Sequence, residues 1–124
     1  MTVTLYLAVM GGAVMGAPAR YLVEHAVYRC MPGNTVWAIM GVNVSGSLLF
    51  GLLSGLALHH HVGPVALALV GTGFCGAYTT FSAFTLETWL LVEEGRRLKA
   101  ALNVVGTVVV GLLGAGAGVA LGLA

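Results

Sequence analysis

The stretch that decides the fold is Gly71–Glu87, which reads Gly-Thr-Gly-Phe-Cys-Gly-Ala-Tyr-Thr-Thr-Phe-Ser-Ala-Phe-Thr-Leu-Glu. It is apolar enough for a membrane, but its three glycines lower the helix propensity. Its hydroxyls compete for backbone hydrogen bonds. A membrane tolerates interrupted helical backbone only where protein or a water-filled cavity covers it. The stretch therefore predicts a discontinuous helix whose break lies buried at a functional centre.

A glycine-rich packing helix is the simpler interpretation of the same stretch. Close packing needs small residues, however, and this stretch places Phe81 and Phe84 beside the hydroxyls of Thr79, Thr80 and Ser82. That combination favours a functional break over simple packing.

The composition of the whole chain is that of an all-α membrane protein. Its 124 residues are 59% hydrophobic and 7% charged, whereas a soluble domain carries about 25% charged residues. The net charge of +1 gives no electrostatic footprint for nucleic acid. Cys30 and Cys75 fit neither a disulfide nor a metal spacing. We expect a multi-pass protein of the cell membrane.

Four apolar segments reach the roughly 20 residues that cross a bilayer. They leave no residues for a soluble domain, so we expect a single four-helix transmembrane domain over residues 1–124, with the discontinuous stretch in the third helix. A loop of three histidines, His59–His61, is expected to be a solvated cap without a metal role. The predicted spans are Val3–Tyr28, Thr35–Leu58, Val65–Val92 and Ala100–Leu123.

Glycines four residues apart recur in three of the spans. Small residues at this spacing let helix backbones approach closely in lipid, so we interpret these glycines as packing ridges. Four helices make a small bundle, and its size together with the ridges predicts at least a dimer. The ridges are Gly12 and Gly16, Gly51 and Gly55, and Gly114, Gly118 and Gly122.

Polar residues inside the spans are costly, and they tend to be functional or paired with one another. Arg20 lies one turn before Glu24, so it either forms an ion pair with it or lines an aqueous vestibule. On the second and fourth helices, polar side chains recur at spacings of four and seven. Each could join helices, but as a set they favour a polar pathway. They are Asn43, Ser47, Ser54, Asn103 and Thr107.

Two aromatic rings extend this pathway. Phe81 and Phe84 lie on the same side of the third helix as its hydroxyls, and an aromatic ring carries a positive edge. Core packing is the usual role of phenylalanine. A path that has hydrogen-bond donors but few fixed charges nevertheless suits a strongly hydrated small anion, because the ion must be bound but not held too tightly.

At these residues the sequence resembles the Fluc (CrcB) fluoride channels. Gly16–Tyr21 is similar to the Gly-Ala-x-x-Arg-aromatic run of that family, and Val42–Gly46 to its Val-Asn-x-x-Gly signature. Gly73–Phe84 matches its most diagnostic block, which ends in Thr-Thr-Phe-Ser-x-Phe. Glu87 stands where the family keeps a glutamate. The length and the layout of four spans agree over the whole chain.

The resemblance implies an antiparallel dimer, of the kind formed by dual-topology proteins, with two fluoride pores. It implies passive fluoride exit that protects the cell from fluoride toxicity. A structural sodium ion (Na+) would lie at the dimer centre, held by the backbone carbonyls of Gly76 and Thr79. Arg20 would face a vestibule. The ion path would be lined by Asn43, Phe81, Phe84, Ser82, Glu87 and Asn103.

Two features depart from the family pattern. The family often has threonine four residues before the asparagine, where this chain has Ile39, so a pore hydroxyl is missing. Arg29, Arg96, Arg97 and Lys99 all lie by loops on one side, and the positive-inside rule then places both termini outside. Either a homodimer tolerates this bias, which we favour, or the chain pairs with an oppositely oriented sister subunit.

Two other functions are compatible with four short spans. A small proton-coupled multidrug exporter would need an acidic residue deep in the first helix, where Glu24 lies near the end instead. A non-transporting membrane subunit would use its polar residues only to join helices. An enzyme is not expected, because the chain has no nucleophile and base in sensible positions and no phosphate-binding motif. The partners expected are fluoride, membrane lipid and a second subunit.

Overall fold

A computed structural model describes residues 2–59 and 62–124, so His60 and His61 of the predicted loop cap lie outside the described residues. Within these ranges the chain is helical, and four segments are long and apolar enough to cross a membrane. The four predicted spans are therefore confirmed. The segments are Val3–Cys30 (α1), Thr35–His59 (α2), Pro64–Glu93 and Arg97–Leu123 (α6).

The observed helices extend a few residues beyond the predicted spans. The largest difference is at α6, which begins at Arg97 rather than Ala100. Long basic side chains can keep their charges in water while their stems cover apolar surface, so the helix begins before the hydrophobic stretch does.

The third segment contains several elements. It begins with a short turn, α3 (Pro64–Ala66), followed by a π-helical segment (Leu67–Cys75) and another short turn, α4 (Gly76–Tyr78). The regular helix α5 (Phe81–Glu93) completes it. π-Helical backbone is rare in proteins, and where it occurs it often lies at a functional site.

Two residues between α4 and α5 have extended backbone. Thr79 has φ −76° and ψ 157°, and Thr80 has φ −145° and ψ 124°. We call them the Thr79–Thr80 linker. The side chain of Thr80 then caps α5, because its Oγ1 accepts a hydrogen bond from the Ala83 N–H at 3.2 Å. The Thr80 hydroxyl, a group that disfavours helix inside a span, thus caps the first turn of α5.

The glycine ridges lie where helices meet. A Cβ at Gly51 or Gly55 of α2 would overlap carbonyl oxygens of α6, and one at Gly12 or Gly16 of α1 would overlap backbone of the π-helical segment. Gly118 and Gly122 of α6 lie equally close to α2. The interpretation of these glycines as packing ridges is therefore confirmed.

Replacement of Gly118 by alanine is expected to destabilise the protein by about 1–3 kcal/mol. A Cβ there would overlap the carbonyl oxygen of Leu48, which is backbone and cannot move without shifting α2 against α6. Gly116 on the same helix is the matched control, because a Cβ there meets no atom within 4 Å. Thermal unfolding of both variants in detergent measures the difference. Equal midpoints for Gly118→Ala and Gly116→Ala would contradict this packing.

Candidate functional site

A cavity of about 420 Å³ lies beside the Thr79–Thr80 linker, at the centre of the third segment. Residues from α2, the linker, α5 and α6 form its wall, and none of its lining residues is charged. We call it the central cavity. Its lining residues are Asn43, Ser47, Thr79, Thr80, Phe81, Phe84, Thr107, Val108, Gly111, Leu112 and Ala115. It brings together three of the six residues that the resemblance assigns to the ion path, Asn43, Phe81 and Phe84. Two further residues of the predicted polar pathway, Ser47 and Thr107, line it as well.

Asn43 holds the linker through both groups of its side-chain amide. Its Oδ1 accepts from the Thr80 N–H at 2.8 Å, and its Nδ2 donates to the Thr80 carbonyl at 3.0 Å. In a continuing helix the Thr80 N–H would bond the Gly76 carbonyl, so Asn43 replaces a helical hydrogen bond. An amide NH2 has two N–H donors. One N–H therefore remains for a ligand in the central cavity.

The hydroxyls of the cavity are mostly engaged within the protein. Ser47 Oγ donates to the Asn43 carbonyl at 2.8 Å, and Thr79 Oγ1 donates to the Cys75 carbonyl at 2.9 Å. A hydroxyl has a single proton to donate, so in this arrangement neither hydroxyl can also donate to an anion. The donors of the central cavity are therefore fewer than the number of polar side chains suggests.

The two phenylalanines sit at one edge of the central cavity. Their ring centroids are 6.0 Å apart and the rings are inclined by 45°. Phe81 is 77% exposed in the single chain, and Phe84 is half-buried. A large aromatic side chain this exposed leaves the wall of the central cavity open on one side in the single chain.

Arg20 does not pair with Glu24. Its Nη1 instead donates to the carbonyl oxygen of Thr79 at 3.4 Å, and the one ion pair among the described residues joins Arg96 to Glu94. Of the two interpretations of Arg20, the local ion pair is therefore wrong. The guanidinium lies beside the linker, at the carbonyl that the resemblance assigns to sodium.

Glu87 lies apart from the central cavity. It lines a second cavity of about 300 Å³, together with Glu24, His25 and the buried Ile39. The Oε1 atom of Glu24 is buried there without a hydrogen-bond partner in the described part of the chain. Glu87, at the middle of α5, thus lines a chamber separate from the central cavity.

Asn103 and Ser82 line neither of these cavities. Asn103 is 3% exposed and joins α6 to α5, because its Nδ2 donates to Thr88 Oγ1 at 2.9 Å. Ser82 is exposed, with its Oγ 3.3 Å from Thr80 Oγ1. Thr88 was not among the predicted residues. Its position one helical turn after Phe84 is the signal that could have identified it.

Gly76 and Thr79 line a third cavity, of about 480 Å³. Gly76 is exposed, and a Cβ built on it meets no atom within 4 Å. The N–H that would bond its carbonyl in a helix is taken by Asn43. The Thr79 carbonyl accepts from Arg20. Carbonyls released at a helix end are suitable ligands for a small cation.

Comparison with known proteins gives consistent matches over the length of the chain. The family model described as CrcB-like protein, Camphor Resistance (CrcB), matches residues 7–119. The chain is 44% identical over 119 residues to a protein of Sphingopyxis alaskensis named fluoride-specific ion channel FluC, covering 95% of this chain and 94% of that protein. It is 44% identical over 124 residues to fluoride-specific ion channel FluC 2 of Natronomonas pharaonis, covering 100% and 99%.

Proposed function

This chain belongs to the CrcB family, and from that membership we infer that it is a fluoride-specific ion channel of the cell membrane. The family predicted from the sequence motifs is thus confirmed. The protein is a multi-pass membrane protein and a channel rather than an enzyme. Passive fluoride exit through it would protect the cell from fluoride toxicity.

The central cavity is the observation that carries this proposal. It is lined by the amide of Asn43 and by the rings of Phe81 and Phe84, and none of its lining residues is charged. Conduction requires binding that replaces hydration but is weak enough to release the ion. A neutral amide donor and ring edges supply such binding, whereas a lysine or arginine in the wall would trap the anion.

Beyond the central cavity, the path would run along α5 and α6. Thr107 lines the cavity, and its Oγ1 lies 3.4 Å from Asn103 Oδ1. Asn103 in turn bonds Thr88. We assign the continuation of the path to Ser82, Asn103 and Glu87, and we assign the second cavity to its mouth. Ile39, in place of a hydroxyl, makes one wall of that mouth apolar.

We propose that the working form is an antiparallel dimer with two pores. The third segment would act as a discontinuous helix whose Thr79–Thr80 linker lies at the dimer centre. The exposure of Phe81 and Gly76 supports this, because a second subunit would close the open wall of the central cavity. A homodimer is favoured, and an oppositely oriented sister subunit would satisfy the same surface.

A sodium ion at the dimer centre fits the residues present. The Gly76 and Thr79 carbonyls would hold it, because one has lost its helical partner to Asn43 and the other lies in the linker. A bound sodium ion would offset the partial negative charge of these carbonyl oxygens. The protein's part is to keep those carbonyls out of helical hydrogen bonds.

The proposal is tested by fluoride efflux from liposomes that contain this chain alone. We expect passive fluoride efflux that excludes chloride and does not depend on a proton gradient. Efflux that requires a proton gradient and is lost on Glu24→Gln would instead support a proton-coupled exporter. If folded protein gives no efflux, co-reconstitution with a sister subunit separates a heterodimeric channel from a non-transporting membrane subunit.

A further inference from the structure

The contact of Arg20 with the Thr79 carbonyl joins a permanent positive charge to the linker. Arginine cannot be neutralised in a protein. The guanidinium is partly buried, and its Nη1 donates to Thr79 at 3.4 Å. Because Gly12 and Gly16 hold α1 against the backbone of the π-helical segment, the register of α1 places Arg20 at the linker. The contact therefore follows from the packing of two membrane segments.

The same carbonyl is one of the two that we assign to sodium. We propose that Arg20 and a monovalent cation compete for the Thr79 carbonyl oxygen, so that Arg20 sets how strongly this protein binds sodium. This inference rests on the sodium site proposed above and adds a residue that regulates it.

The competition follows from electrostatics. A cation on that oxygen would lie within a few ångströms of the guanidinium, and two positive charges at this separation repel each other strongly outside bulk water. The Arg20 hydrogen bond is long, at 3.4 Å, and charge-assisted bonds are usually about 2.7–2.9 Å. A bound cation can therefore displace the guanidinium. Once displaced, the charge of Arg20 would be free to attract an anion near the central cavity.

The test measures sodium binding through protein stability and needs no transport. A ligand that binds the folded state raises the unfolding midpoint with its concentration. Thermal unfolding in detergent would be followed against sodium chloride, with N-methyl-D-glucamine chloride keeping ionic strength constant. We expect Arg20→Gln to lower the half-maximal sodium concentration by about 10- to 100-fold relative to wild type. Arg97→Gln is the matched control, because it removes the same charge at the exposed start of α6.

Two results would overturn the proposal: equal sodium dependence in Arg20→Gln and Arg97→Gln, or no sodium response in Arg20→Gln. If sodium raises the unfolding midpoint of Arg20→Gln alone, and not that of the wild type or of Arg97→Gln, the proposal is supported. The Arg20 guanidinium would then be occupying the Thr79 carbonyl in the wild type. If Arg20→Gln does not fold, 15N NMR of the arginine guanidinium signals in the wild type decides. The Arg20 signal should shift on sodium addition, and an unchanged signal contradicts the competition. Fluoride efflux by the wild type, measured in parallel, tests the proposed channel function separately from the sodium site.

Discussion

Replacement of Phe81 by isoleucine is expected to reduce fluoride efflux by about 2- to 13-fold while leaving the protein folded. Phe81 lines the central cavity and is 77% exposed in the single chain, so its ring is not part of the core of the subunit. Isoleucine keeps apolar volume but has no ring edge. Edge-to-face contacts between aromatic rings contribute about 0.5–1.5 kcal/mol. We expect the contact of a ring edge with the anion to be of similar size, and 1.36 kcal/mol corresponds to about a tenfold change in rate.

The measurement is fluoride efflux from liposomes at matched protein density, with unfolding midpoints recorded for each variant. Leu86→Ile serves as the control, because Leu86 lies on the same helix and is 57% exposed. It should conduct like the wild type. Normal efflux by Phe81→Ile, or an equal loss in both variants, would remove Phe81 from the pathway.

Replacement of Asn43 by leucine is expected to abolish conduction and to lower stability by about 1–3 kcal/mol. Leucine keeps the approximate size of the side chain but leaves both the N–H and the carbonyl of Thr80 without their partner. The linker would then lose the bonds that hold it beside the central cavity. The donor that remains for the anion would be lost with them.

Asn43→Asp separates these two roles of Asn43. A carboxylate still accepts from the Thr80 N–H, but it has no N–H for the Thr80 carbonyl or for an anion, and it adds a negative charge. We expect a smaller loss of stability than in Asn43→Leu and an equal loss of fluoride efflux.

Ser54→Ala controls for general effects on α2. Ser54 belongs to the predicted polar pathway, but it lines neither the central nor the second cavity. Its Oγ donates to the Phe50 carbonyl of its own helix, at 2.8 Å. The unfolding midpoints and the fluoride efflux of the three variants show which of the two roles Asn43 has. Full efflux by Asn43→Asp would show that Asn43 acts on the linker alone.

The sequence by itself determined the four spans, the packing role of the glycines and the family. Length and apolarity decide whether a segment crosses a membrane, and these are local properties. The extended backbone at Thr79 and Thr80 lies in the stretch whose glycines and hydroxyls disfavour helix. Such properties can be predicted because each depends on neighbours within a few residues.

The tertiary structure decided which partners the polar residues choose. Asn43 bonds Thr80, 37 residues away, and Arg20 bonds Thr79, 59 residues away, in preference to Glu24 one turn along its own helix. Glu87 joins a different cavity from Phe84, although one helix carries both. The spacing of residues along a helix determines only which side chains lie on the same face of that helix. The partner across the interface depends on the register and rotation of the packed helices, which close contacts at glycines such as Gly16 and Gly118 set.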